Sequence, residues 1–143
     1  MSESFFIGEF ARLTGRGVHA IRWYEAQGLI PGVVRDRGGR RVYVRDHVDH
    51  LIFLEQLRRT GMTVAQMRRF SALALQGWRT LPDRQALLRE HRKQVEAEIA
   101  LLKAALKLID TKVAYYADWQ ARKKRPPPLH APLPARAPGR SRP

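Results

Sequence analysis

Apolar side chains recur every seven residues through the second half of this 143-residue chain. Leu88, Val95, Leu102, Ile109 and Tyr116 form one line, and Ile99, Leu106 and Val113 fill the intervening positions. Such a repeat marks a helix that buries a narrow seam against another helix. Pro82 to about Gln120 therefore reads as one helix, roughly 55 Å long at the usual rise per residue. Arg92 is the one charged residue in the seam and lies near its start. The preceding residues 1–75 make too small a domain to cover such a stripe along its whole length. Pairing with a second copy is the economical solution, and folding back on its own domain is the alternative.

The elements ahead of the seam are short. Ile7 to Leu13 shows an approximate helical apolar face through Ile7, Phe10, Ala11 and Leu13. Gly15 and Gly17 break it, and Val18 to Gln27 reads as a second helix ended by Gly28. Val33-Val34 and Val42-Tyr43-Val44 then flank Arg35-Asp36-Arg37-Gly38-Gly39-Arg40-Arg41. β-formers around a Gly-Gly pair predict a hairpin whose tip carries arginine, with a solvated charged loop as the alternative. A third helix is predicted from about Asp46 to Thr60. A fourth follows Thr63 as N-cap, with Val64, Met67, Phe70 and Leu73 on one face. Gly77 and Pro82 mark the next break.

Charge narrows the class of partner. The net charge of +14 favours polyanions, nucleic acid before acidic lipid. Residues 1–75 hold 12 basic and 7 acidic side chains, whereas residues 122–143 hold 7 basic and none acidic. The tail also holds seven of the nine prolines, so it reads as a disordered basic extension, either an aid to phosphate binding or inert. The absence of cysteine excludes disulfides and thiolate metal sites. The N-terminus lacks the pattern of a signal peptide, and no apolar run reaches bilayer length. No membrane association and a cytoplasmic location are the resulting expectations.

Two short helices joined by a glycine turn and followed by an arginine-rich hairpin make the plan of a winged helix-turn-helix. In that plan the second helix enters the major groove and the hairpin reaches the phosphates or minor groove. At this point residues 7 to about 75 resemble the MerR family of transcriptional regulators. The matching strings are IGEFARLTG (7–15), IRWYEAQGLI (21–30), GRRVY (39–43) and LIFLEQLRRTGMTVAQMRRF (51–70). They occur in the family's order and at its spacing. The long helix, with its LIDTKVAYY ending (108–116), resembles that family's antiparallel dimerisation helix.

The resemblance implies a mostly α fold, a winged helix-turn-helix followed by a dimerisation coiled-coil helix. It implies a domain layout of 1–75 for DNA binding, 76–121 for linker and dimerisation, and 122–143 for the tail. Arg22 and Tyr24 fall where the family's recognition helix meets phosphates, although Tyr24 also fits a core position. Arg16, Val18 and His19 lie at the start of that helix, where base edges are read. Arg41 and Tyr43 match the wing's Arg and Tyr, with Tyr43 partly structural. Arg35, Arg37 and Arg40 are additions that fit the same surface. Trp23 reads as a packing residue. Arg58 and Arg59 fit either phosphate contacts or a solvated face. The chain departs from the family with Ala20-Ile21 in place of Thr-Leu, and with Arg40 in place of a wing Tyr.

The implied function is a dimeric regulator that binds a promoter palindrome in double-stranded DNA and distorts it to control RNA polymerase. An architectural or recombination-directionality protein is the rival. No phosphate loop, nucleophile–base pair or metal triad points to an enzyme, and no stacking-aromatic motif points to RNA. Without cysteine, the family's thiolate sensing of metals is ruled out, and Gln56 stands where an aldehyde-responsive branch has Cys. No cofactor or metal is expected. His47 and His50 form at most a weak metal candidate, with a solvated helix face preferred. A small effector, if one exists, is expected near Trp78, Leu81, Tyr115, Tyr116 and Trp119, where ordinary packing is the favoured alternative.

Overall fold

The computed structural model describes residues 3–129. Helix α1 (Ile7–Thr14) ends at Gly15, whose φ of +67° is open to glycine at little steric cost. The Gly15 N–H bonds back to the Ala11 carbonyl and the chain turns into α2 (Val18–Ala26). Ile21 and Tyr24 face inward from α2, one turn apart. Arg68, on α4 (Val64–Leu75), clamps the end of α2 by donating to the carbonyl and side-chain oxygens of Gln27, each at 2.8 Å.

The hairpin forms as the sequence predicts. Strands β2 (Val34–Arg35) and β3 (Arg41–Val44) pair antiparallel, with Val34 opposite Val42 and Arg35 opposite Arg41. At the tip Gly39 N–H donates to Asp36 O at 3.0 Å, and Asp36 N–H donates to Arg40 O at 2.9 Å. Gly39 takes φ +80°, which closes this three-residue loop on a left-handed residue. A third strand, β1 (Ser4–Phe5), completes the sheet in the order β1-β3-β2. Two residues are too few to carry an alternating pattern, so the sequence gives no sign of it.

Helix α3 (Arg45–Arg59) follows β3 directly. Before α4, Thr63 Oγ1 accepts from Gln66 N–H and Gln66 Oε1 accepts from Thr63 N–H, a reciprocal cap. Phe10, Ile21, Tyr43, Leu51, Leu54 and Met67 are wholly buried and join all four helices to the wing. Each such side chain contributes about 2 kcal/mol relative to exposure. A 3-10 turn (Gly77–Thr80) occupies the expected break, and α5 runs from Leu81 to Arg122 as one 42-residue helix.

The first turns of α5 belong with the helices before them. Leu87 and Leu88 pack partly buried against the core, and Thr60 Oγ1 lies 2.7 Å from Nε2 of the buried His91. The first compact unit extends to Ala97. Leu88, placed in the dimer seam by its spacing, is partly buried against the core of its own chain. From Ile99 onward the remaining seam positions stand open, up to 62% exposed at Val113.

Arg122 closes α5, and Tyr115 Oη donates to the Pro126 carbonyl at 3.0 Å. The greater part of the predicted tail, residues 130–143, lies outside the described residues.

Candidate nucleic-acid interface

The glycine turn leaves one side of α2 open. Burying Ile21 and Tyr24 sends His19, Arg22, Trp23 and Ala26 to the opposite side, at helical spacing. All four are exposed, and Trp23 shows 47% of its surface. The sequence reads Trp23 as a packing residue, but its edge-on contact with Tyr24 covers only part of the indole. It stands one residue past Arg22, on the exposed stripe that starts at His19. Val18 is half-buried at the start of the helix.

Arg22 meets the wing at a cleft of about 230 Å³ lined by Phe6, Arg22, Arg35, Arg40 and Arg41. Arginines from α2 and from the hairpin thus share one surface. Local bonds orient several of them. Arg35 Nη1 donates to Gly39 O at 2.6 Å. Arg40 pairs with Asp36 at 3.1 Å, and its guanidinium lies 4.2 Å from the centre of the Phe6 ring. The backbone N–H of Arg40, with the Arg40 charge behind it, holds the Asp36 carboxyl below its ordinary range. Arg41 Nε sits 2.7 Å from Glu25 Oε2, close enough for charge pairing but poorly aligned as a hydrogen bond. Neither Arg22 nor Arg37 has an ion-pair partner among the described residues.

Tyr43, Tyr24 and Arg16 also bond within the protein. Tyr43 is wholly buried, stacked on Phe10 with ring centres 4.2 Å apart. Its hydroxyl donates to Glu25 at 3.3 Å, and burial with the nearby Glu25 charge pushes its pKa to about 12. Tyr24 is buried and its hydroxyl donates to Glu55. Arg16 places its guanidinium 2.9 Å from Glu55 Oε2, with part of the group buried. The physical reason is Glu55 itself, only 4% exposed, because a buried carboxylate requires counter-charge and donors. Arg58, which fitted either role in the sequence, gives Glu55 a third partner at 3.2 Å.

No group of three His, Asp or Glu side chains among the described residues is arranged to hold a metal. His47 is fully engaged: Nδ1 accepts from Val44 N–H at 3.0 Å, and Nε2 lies 3.1 Å from Pro31 O. His50 Nε2 lies 2.9 Å from Ser71 Oγ. At the end of α5, Tyr115, Tyr116 and Trp119 form one aromatic cluster with the Lys112 ammonium over both tyrosine rings. No described helix is long and apolar enough to cross a membrane.

Residues 5–72 match the family of MerR HTH regulatory proteins, and residues 48–111 match a MerR DNA-binding family. An HTH-type transcriptional regulator of Haemophilus influenzae is 33% identical over 106 residues, covering 74% of this chain and 78% of that protein. The nodulation protein NolA of Bradyrhizobium diazoefficiens is 33% identical over 94 residues, but the chain spans only 37% of its length. Among solved structures, the MerR family regulator HiNmlR, which lacks the sensor domain and is bound to promoter DNA, superposes with a TM-score of 0.71. It is 30% identical, and the match covers 83% of this chain and 94% of that one.

Proposed function

This chain belongs to the MerR family of DNA-binding transcriptional regulators, and from that premise we propose that it binds a palindromic promoter site as a homodimer and distorts it. The observation that carries the proposal is the continuous exposed surface from His19, Arg22 and Trp23 to the wing arginines. A helix of this kind fits the major groove, with Val18 and His19 at base edges and Arg22 on the backbone. Arg35, Arg37, Arg40 and Arg41 reach phosphates beside it. Arg16, Tyr24 and Tyr43 hold that surface in place from behind.

Dimerisation is supported by the open seam on α5. Val95 and Ile99 begin it, and Leu102, Leu106, Ile109, Val113 and Tyr116 continue it, mostly exposed in the single chain. Burying these residues against a second copy gives two DNA-binding lobes at a fixed separation, which a palindrome matches. In this scheme residues 1–75 read DNA, 76–121 link and pair the chains, and 122–143 add basic charge.

The distortion follows the family pattern. Bending and untwisting a promoter whose elements are spaced too widely brings both within reach of RNA polymerase, and deforming such a site costs several kcal/mol. Polymerase is thus engaged through the DNA. An architectural protein would share the lobe, but it has no need of a long pairing helix.

Selection of duplexes from a random pool by the full chain, followed by footprinting, tests the proposal. Enrichment of one inverted repeat, protected as a single site, is the expected result. Scattered protection with no inverted repeat would favour the architectural reading.

A further inference from the structure

The two faces of the wing differ in chemistry. Alternation along the strands sends Arg35 and Arg41 to one face and Val34, Val42 and Val44 to other positions. These three valines line a separate pocket of about 450 Å³, closed by Leu75 at the end of α4 and by Asp46, His47 and His50 on α3. Val34 and Leu75 are 63% and 61% exposed, a large apolar surface with nothing packed over it. A Cβ on Gly32 would approach Leu75 Cδ1 to 3.2 Å, so the linker after α2 keeps the pocket open by carrying no side chain. The volume falls in the range of small-molecule sites.

The polar lining is selective. Both ring nitrogens of His47, and Nε2 of His50, are already bonded within the protein. Burial holds both imidazoles below their ordinary pKa, so they present neutral rings near neutral pH. Asp46 is the only formally charged residue of the lining, and it has no ion-pair partner among the described residues.

We propose that this pocket binds a small lipophilic amine, its apolar body against the valines and Leu75 and its ammonium group at the Asp46 carboxylate. Neutral histidines leave that cation unopposed within the lining. A carboxylate ligand would meet Asp46 with like charge, and a neutral ligand would leave Asp46 unused. The pocket shares the hairpin with the arginine surface, so occupancy shifts the wing and alters DNA affinity. That consequence alone rests on the DNA-binding proposal above.

Calorimetry of the full chain without DNA tests the site, using phenethylamine against phenethyl alcohol and phenylacetate. The amine is expected to bind in about the millimolar range or tighter, as suits a fragment of this size. Asp46→Asn should weaken it about tenfold while leaving the alcohol unchanged. Amide shifts on amine binding should centre on Gly32, Val34 and Val42. An amine no tighter than the alcohol or the acid, or shifts centred elsewhere, overturns the assignment. Asp46 lies in the first turn of α3, so Leu75→Trp, at an exposed rim position, provides a second variant; undiminished amine binding there also overturns it. With binding established, an unchanged affinity for the selected duplex would remove the link to the wing. Failure of DNA binding itself would leave the calorimetry untouched, so the two failures are distinguishable.

Discussion

The Tyr24 hydroxyl donates to the buried carboxylate of Glu55, joining the recognition helix to α3 across 31 residues of sequence. Arg16 and Arg58 converge on the same carboxylate. The inward side of α2 and the turn before it are thus fixed by one buried acid, while the outward side stays free. In the proposed complex this preorganisation lowers the ordering cost of binding.

Tyr24→Phe should therefore act on stability before it acts on DNA. Losing a donor to a buried charge costs about 1.5–3 kcal/mol. Chemical denaturation at fixed protein concentration reads this loss. DNA affinity at a temperature where the variant stays folded should change far less than for Arg22→Ala.

Arg22→Ala should weaken binding to operator and unrelated duplexes alike. If Arg22 neutralises one phosphate, the slope of log affinity against log salt should fall by about one. Titrations at several salt concentrations measure it, and an unchanged slope would take Arg22 out of the interface.

Trp23→Ala should have the opposite profile to Tyr24→Phe. An exposed indole that the core does not use leaves stability within about 0.5 kcal/mol. Operator affinity should fall about tenfold or more, the scale of one good contact. A thermal melt beside a binding titration separates the two effects.

Stability should decline as the solution is acidified below the ordinary imidazole value of 6.5. Burial lowers the His47 pKa in the folded chain, against favourable contributions from Pro31, Asp46 and Glu25, so the unfolded chain takes up the proton first. His50 shifts in the same direction, with burial again the largest cause. The contribution of these neutral rings is present above that value and is lost as pH falls through it toward the lowered folded values. His47→Gln should flatten the dependence, as denaturation across that window would show.

The lobe was legible because its signals are local. Gly15 and Gly39 sit where left-handed residues close a turn and a hairpin, and the valines flanking the arginine run pair as read. What escaped were pairings between distant positions. Nothing near Arg16 or Tyr24 in the chain announces Glu55, and nothing near Leu88 announces the core it packs against. A family likeness carries a residue to its place in the chain without saying which way it faces: Tyr43 takes the structural side of its reading, and Trp23, read as a packing residue, is half exposed. Strand β1 was invisible because two residues have no period.

Two copies of the chain are proposed to engage one inverted repeat. Sedimentation of the full chain with the duplex selected from the random pool reads the stoichiometry directly, beside a variant carrying Leu102→Asp and Leu106→Asp. Two chains per duplex for the wild type, with a monomeric variant that loses the complex, is the predicted result. One chain per duplex, or a charged variant that still pairs and binds like the wild type, would contradict it.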